Sequence, residues 1–149
     1  MKRVKPAFLL ALLFILLFVS CKKVAETPTD SSTISLKFNG NPVTATNPSA
    51  IYSPSKNALQ IMGQTSGNVT VEVVVNANMG LGTFDITTGQ ASVDYSIGSD
   101  VYTATSGSVI ITSFTNTQVT GSFEFAALDT AMVAGAGTNG TFTTPYTKQ

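Results

Sequence analysis

The sequence predicts an all-β fold: a single antiparallel β-sandwich or barrel-like domain of about 8–10 short strands, preceded by a signal peptide and a flexible tether. Three observations predict it. Apolar residues alternate with polar ones in many short runs, as half-buried strands require. Turn-forming residues separate these runs at intervals of about 8 to 12 residues. Thr, Ser, Val, Ala, Gly and Phe dominate after the leader, a composition typical of exported β proteins.

The first element is an export signal. Three basic residues at positions 2, 3 and 5 precede an apolar run over residues 7–19. This run is shorter than the roughly 20 apolar residues that a membrane-spanning helix needs. Residues 1–20 are therefore interpreted as a cleaved signal peptide rather than a permanent anchor.

The only cysteine, Cys21, directly follows this leader, so no disulfide can form within one chain. The motif Phe18-Val19-Ser20-Cys21 resembles the lipobox of bacterial lipoproteins, in the relaxed form found in Bacteroidota. The resemblance implies that Cys21 is acylated with a fatty acid such as palmitate, becomes the first residue of the mature chain and holds it to the membrane. The alternative is an ordinary secreted protein with an unused cysteine.

Residues 21–32 form the predicted tether, which is polar, contains Pro28 and shows no periodicity. Residues 33–149 form the predicted all-β domain, long enough for one core. Without the leader, five lysines stand against eight acidic residues, a net charge of −3. Because the mature chain has no arginine and its lysines are scattered, we expect no nucleic-acid partner.

Alternating apolar residues define the strands in order along the chain. The predicted strands are residues 33–38, 57–62, 69–75, 83–87, 92–97, 101–105, 109–111 and 119–127. Phe114 is out of phase with Val109 and Ile111, so either a bulge shifts the register or the strand ends before it. Residues 129–136 offer at most a short turn of helix, because their glycines oppose more.

The stretch from Gly135 to Gly140 has the spacing G-x-G-x-x-G of dinucleotide-binding loops. Such a loop must open a helix, whereas Thr-Phe-Thr-Thr-Pro-Tyr follows Gly140 and predicts a strand. We therefore expect no nucleotide or other cofactor. Asn139-Gly140 is interpreted as a tight hairpin turn.

The chain contains no histidine, which removes Ser-His-Asp and Cys-His catalysis and the usual zinc sites. Carboxylates remain for glycosidase chemistry: Glu72, Asp85, Asp94, Asp100, Glu124 and Asp129. Several of them alternate with core residues and so are expected to face solvent from strands. The sequence predicts neither a metal site nor an enzyme.

Exposed aromatic rings often hold sugars. Five phenylalanines fall on apolar faces, namely Phe38, Phe84, Phe123, Phe125 and Phe142. Tyr52, Tyr102 and Tyr146 remain as candidate ligand contacts. Asp129-Thr130-Ala131 resembles the acceptor motif of O-glycosylation in Bacteroidota envelope proteins, which would place a glycan on Thr130.

Four segments in this order, "SLKFNGNPVTAT", "GTFDITTG", "SGSVIITSFTNTQVTGSFEFAA" and "TNGTFTTPY", are similar to a family of Bacteroidota lipoproteins known as a domain of unknown function. The resemblance covers nearly all of the mature chain, apart from a spare loop at residues 47–55. It implies a lipid-anchored all-β envelope protein and supplies no catalytic residues.

These observations predict an outer-membrane lipoprotein that serves as a non-catalytic binding or accessory module, with an envelope protein or glycan as partner. Two alternatives stay open: a purely structural envelope component and, more distantly, a carboxylate-based glycoside hydrolase. The sequence does not decide between the periplasmic and the cell-surface face of the membrane. Lys22 and Lys23, directly after Cys21, lean slightly towards the periplasmic face.

Overall fold

The computed structural model describes residues 32–76 and 80–149, so the predicted signal peptide, Cys21 and nearly all of the tether lie outside the described residues. Ten strands make up the secondary structure of the described part, which contains no helix. The strands are β1 (Thr33–Phe38), β2 (Asn41–Thr46), β3 (Ser49–Ser53), β4 (Ala58–Gln64), β5 (Val69–Val75), β6 (Gly82–Asp85), β7 (Ala91–Ile97), β8 (Asp100–Phe114), β9 (Gln118–Leu128) and β10 (Ala134–Lys148). The all-β prediction is confirmed.

All ten strands belong to one sheet, which closes on itself. Going round the ring, the order is β10, β3, β4, β5, β7, β8, β9 and again β10. Every pairing is antiparallel except that of β10 with β3. The β1–β2 hairpin and the short β6 extend the ring, on β10 and β8 respectively.

The interior is filled by the inward residues of the predicted alternating runs. Fully buried members are Ile34, Leu59, Ile61, Val71, Val73, Val75, Val93, Val109, Ile111, Val119 and Phe142. Phe38, Phe84, Phe123 and Phe125 are also buried, as the alternation predicts. Gly63 is buried directly beneath Ile34 and Ala45, so the β1–β2 hairpin covers β4 and completes the core.

The two ends of the domain carry different loops. Ser32 lies beside Asn47, whose amide donates to the Ser32 carbonyl (3.1 Å), and the C-terminal Gln149 reaches Tyr52 (2.9 Å). We call this the Ser32 end. At the opposite end, Asn39 hydrogen-bonds to Ala136 (2.9 Å) and Gly98 to Asn68.

Several local features differ from the predicted pattern, because strand pairing sets where each element begins and ends. The spare loop predicted at residues 47–55 contains β3, and the segment at 129–136 makes no helix but the turn into β10. The two predicted runs at 101–105 and 109–111 form one strand, β8. Its register shifts between Ile111 and Ser113, so a bulge explains the phase of Phe114.

Asn139-Gly140 is not a hairpin turn, which corrects another prediction. The pair lies inside β10, where the register against β9 shifts between Gly137 and Gly140. A tight type I′ turn needs positive φ at both central residues. Of the two residues, only Asn139 has a positive φ, at 53°. Its conformation accompanies a β-bulge in which Thr138 and Asn139 have no paired residue on β9.

Candidate functional site

The three candidate tyrosines lie at different ends of the domain. Tyr52 and Tyr146 meet at the Ser32 end with their ring centroids 6.0 Å apart. Tyr102 packs edge-on against Phe38 at the opposite end, with centroids 4.9 Å apart. The structure therefore brings together two of the three residues that the sequence indicates.

Phe114 completes an aromatic cluster with Tyr52 and Tyr146. Its ring stacks on Tyr146 at 5.1 Å and meets Tyr52 edge-on at 5.4 Å. The Tyr146 hydroxyl donates to the Thr115 carbonyl (2.8 Å), and Lys148 Nζ lies 5.9 Å from the centre of the Tyr52 ring. All three rings are half-buried and pack on the core, so the cluster closes the Ser32 end of the ring of strands.

Thr130 lies in the exposed turn between β9 and β10. Asp129 orders this turn, because its Oδ1 accepts from the amides of Ala131 (2.9 Å) and Val133 (2.7 Å). Met132 adopts a positive φ of 63° there and is 72% exposed. The predicted acceptor threonine thus lies on an ordered, accessible turn at the opposite end.

The acidic residues are distributed over the outer surface. Glu72 and Asp94 are direct cross-strand partners in the β5–β7 pair, and Gln60 Nε2 donates to Glu72 Oε1 (2.7 Å). Among residues 32–76 and 80–149, no group of three or more acidic side chains is placed to hold a metal ion. Glu124 lies on β9, apart from the Glu72–Asp94 pair.

A concave surface surrounds Glu124 on the outer face of β8, β9 and β10. Two shallow hollows of about 250 Å³ each have Glu124 in their shared wall. The first also contacts Ser108, Ile110, Ser122 and Asn139; the second also contacts Gly107, Ala126, Gly137 and Thr138. We call these two hollows together the Glu124 groove.

Bulges on both sides of β9 create the groove. On β8 the register shifts between Ala104 and Ser106, beside Gly107, whose φ is 125°. On β10 the bulge at Thr138 and Asn139 lies across from Glu124, because Phe123 pairs with Gly140 and Phe125 with Gly137. Bulges bend strands and re-aim side chains, and they are common beside functional sites.

Sequence reasoning placed Glu124 on the solvated surface and did not associate it with Ser108, Ser122 or Asn139. The groove depends on which residues of β8 and β10 oppose Glu124, and this register is set by the bulges rather than by local alternation. The only local signal was the pair of glycines that flank Thr138 and Asn139.

The fold and the groove define a small closed-sheet domain with a packed interior and an outward-facing groove around one carboxylate. Residues 30–144 match the profile of a family described as a domain of unknown function (DUF6252). The chain belongs to this family. Neither a curated protein nor a solved structure matches it.

None of the described residues belongs to a helix long and apolar enough to cross a membrane.

Proposed function

We propose that this chain is a lipid-anchored, non-catalytic binding or accessory module of the cell envelope. Acylated Cys21 holds it to the outer membrane, and residues 21–32 connect the anchor to the all-β domain. The basic, apolar and cysteine pattern of residues 1–21, typical of bacterial lipoproteins and similar to those of Bacteroidota, supports the anchor.

The Glu124 groove is the observation that carries the binding role. The core is occupied by buried aliphatic and aromatic side chains, so a ligand meets this domain at its surface. The groove gathers a carboxylate, hydroxyls and an amide on three adjacent strands. Polar groups that converge in a concave site typically orient a ligand.

Capture from the envelope tests this role. The mature chain, purified from membranes in detergent, is immobilised and incubated with separate envelope protein and glycan extracts. We expect retention of a defined glycan or protein that a matched Glu124→Gln chain retains less well. Empty captures from both extracts would contradict the binding role and favour a purely structural component.

Protease treatment of intact cells determines which face of the membrane the domain occupies. The domain is resistant in intact cells and sensitive after the outer membrane is opened if it faces the periplasm. Cleavage in intact cells places it on the cell surface.

A further inference from the structure

The Glu124 carboxylate is available to a ligand from outside the chain. Glu124 is exposed, and none of the side-chain hydrogen bonds of the described residues involves it, whereas Glu72 accepts one from Gln60. A carboxylate only accepts hydrogen bonds and can serve two donors at once. The groove therefore presents a double acceptor at its centre.

The neighbouring groups both donate and accept. Ser108 faces Glu124 directly across the β8–β9 pair, and Ser122 lies two residues away on the same side of β9. The Asn139 amide carries one acceptor oxygen and two donor hydrogens. A ligand with several hydroxyl groups complements these side chains. Each hydroxyl can donate a hydrogen bond to the carboxylate and accept one from the amide or from a serine hydroxyl.

A purely cationic ligand fits the site less well. Glu124 is the one carboxylate among the residues that line the two hollows. A cation held by a single exposed carboxylate gains little in water, whereas a hydroxylated ligand also bonds the hydroxyl and amide groups around Glu124.

The two hollows follow one another along β9. The first lies over residues 122–124 and the second over residues 124–126, so their centres are about 6.6 Å apart at two residues of strand rise. Each is smaller than the roughly 300–1,000 Å³ of pockets for drug-sized molecules. Two linked ring-sized units match this geometry.

We propose that the Glu124 groove binds an oligosaccharide that runs along β9, with one sugar ring in each hollow. The Glu124 carboxylate accepts hydrogen bonds from hydroxyl groups of both rings. Asn139 and Ser122 form hydrogen bonds with the first ring, and Ile110 contacts its apolar face. This inference rests on the proposed binding role and names its ligand class and its residues.

An array of immobilised oligosaccharides of increasing length tests the inference with the detergent-purified mature chain. We expect a disaccharide or longer glycan to bind more tightly than its monosaccharide, and Glu124→Gln to weaken binding by roughly tenfold, because charge-assisted hydrogen bonds are lost. Asn139→Gly removes the amide yet tolerates the positive φ, and should weaken binding severalfold.

Matched controls separate the site from general effects. Glu72→Gln changes another outward carboxylate, and Asn68→Gly changes another asparagine of positive φ (57°), at a turn remote from the groove. Both should bind like the wild type. Thermal unfolding of each variant shows whether a loss of binding reflects a loss of folded protein, and Asn139→Gly carries the test if Glu124→Gln does not fold.

Each outcome has one meaning. Glycan binding that survives both Glu124→Gln and Asn139→Gly overturns the inference and leaves the proposed function standing. Capture of an envelope protein with an empty array does the same. If the array and both extract captures are empty, the inference and the proposed function fail together.

Discussion

At the scale of single residues, the glycines of the G-x-G-x-x-G stretch make room for aromatic rings. A methyl group on Gly135 would meet the Phe38 ring, one on Gly137 the Phe125 ring, and one on Gly140 the Phe123 ring. All three glycines are buried. A spacing that resembles a phosphate-binding loop is thus the inner surface of a strand covered by phenylalanines.

Gly137→Ala should therefore destabilise the domain. The added methyl group has no space beside the Phe125 ring, and overpacking of this kind costs about 1–3 kcal/mol. Chemical denaturation measures the change in unfolding free energy. Gly67→Ala is the control, because only the Thr65 hydroxyl lies near its added carbon, at 3.7 Å. Equal stability of the two variants would contradict this explanation of the glycines.

Tyr95 makes stability sensitive to high pH. It is 3% exposed and stacks on Phe38 with ring centroids 3.8 Å apart. Burial, and then the charge of Tyr102, raise the pKa of Tyr95 above its usual 10.0. Since the folded state holds this proton more tightly, its contribution is fully present below about pH 10 and is lost as pH rises through the folded pKa.

Tyr95→Phe should flatten that part of the pH profile, because phenylalanine has no proton to lose. Denaturation of wild type and variant from pH 8 to pH 11 measures it, and the difference in unfolding free energy should change above about pH 10. Parallel profiles throughout would show that Tyr95 does not contribute.

At the scale of elements, alternation predicted the strands that bury their own apolar faces, and β5 and β9 match closely. It missed β2 and β3, which bury few side chains, Ala45 and Ala50 among them. Both strands form because neighbouring strands present unpaired backbone groups to them. β2 pairs with β1, and β3 pairs with β4 and β10. A pattern within six residues does not contain that information.

Thr144 links β10 to the corner between β2 and β3. It is fully buried, and its hydroxyl lies within donating distance of the Pro48 and Pro145 carbonyls, each at 3.0 Å. Thr144→Val keeps the shape and leaves a buried carbonyl unpaired, which should cost about 1–3 kcal/mol of unfolding free energy.

Thr141→Val is the control for this substitution. Its exposed hydroxyl meets only that of Ser35 (2.8 Å), which water can replace, so its effect should stay within about 0.5 kcal/mol. If Thr144→Val were as stable as Thr141→Val, the Thr144 hydroxyl would not stabilise the contact between β10 and this corner.

At the scale of the whole molecule, stability depends on closing the ring. Residues 146–148 of β10 pair with β3 in the one parallel ladder among the described residues, and Tyr146 belongs to the aromatic cluster over the Ser32 end. The all-β class followed from composition and alternation. Closure of the ring could not be predicted in this way, because it pairs segments almost 100 residues apart. The Glu124 groove could not be predicted either, because it depends on the register between strands.

Deletion of residues 146–149 should open the ring. The chain then loses the β10–β3 ladder and the Tyr146 ring, and we expect at least about 3 kcal/mol of destabilisation. Deletion of Gln149 alone removes one backbone hydrogen bond, to Tyr52, and is the control. Similar melting temperatures for the two truncations would contradict a structural role for closure.

Labelling of cells with radioactive palmitate is the most direct test of whether an acylated cysteine holds the domain to the envelope. We expect label on the wild-type chain in the outer-membrane fraction, and neither label nor membrane association for Cys21→Ala. Palmitate that persists on Cys21→Ala, or a wild-type chain that stays unlabelled and soluble with residues 1–20 attached, would contradict the account.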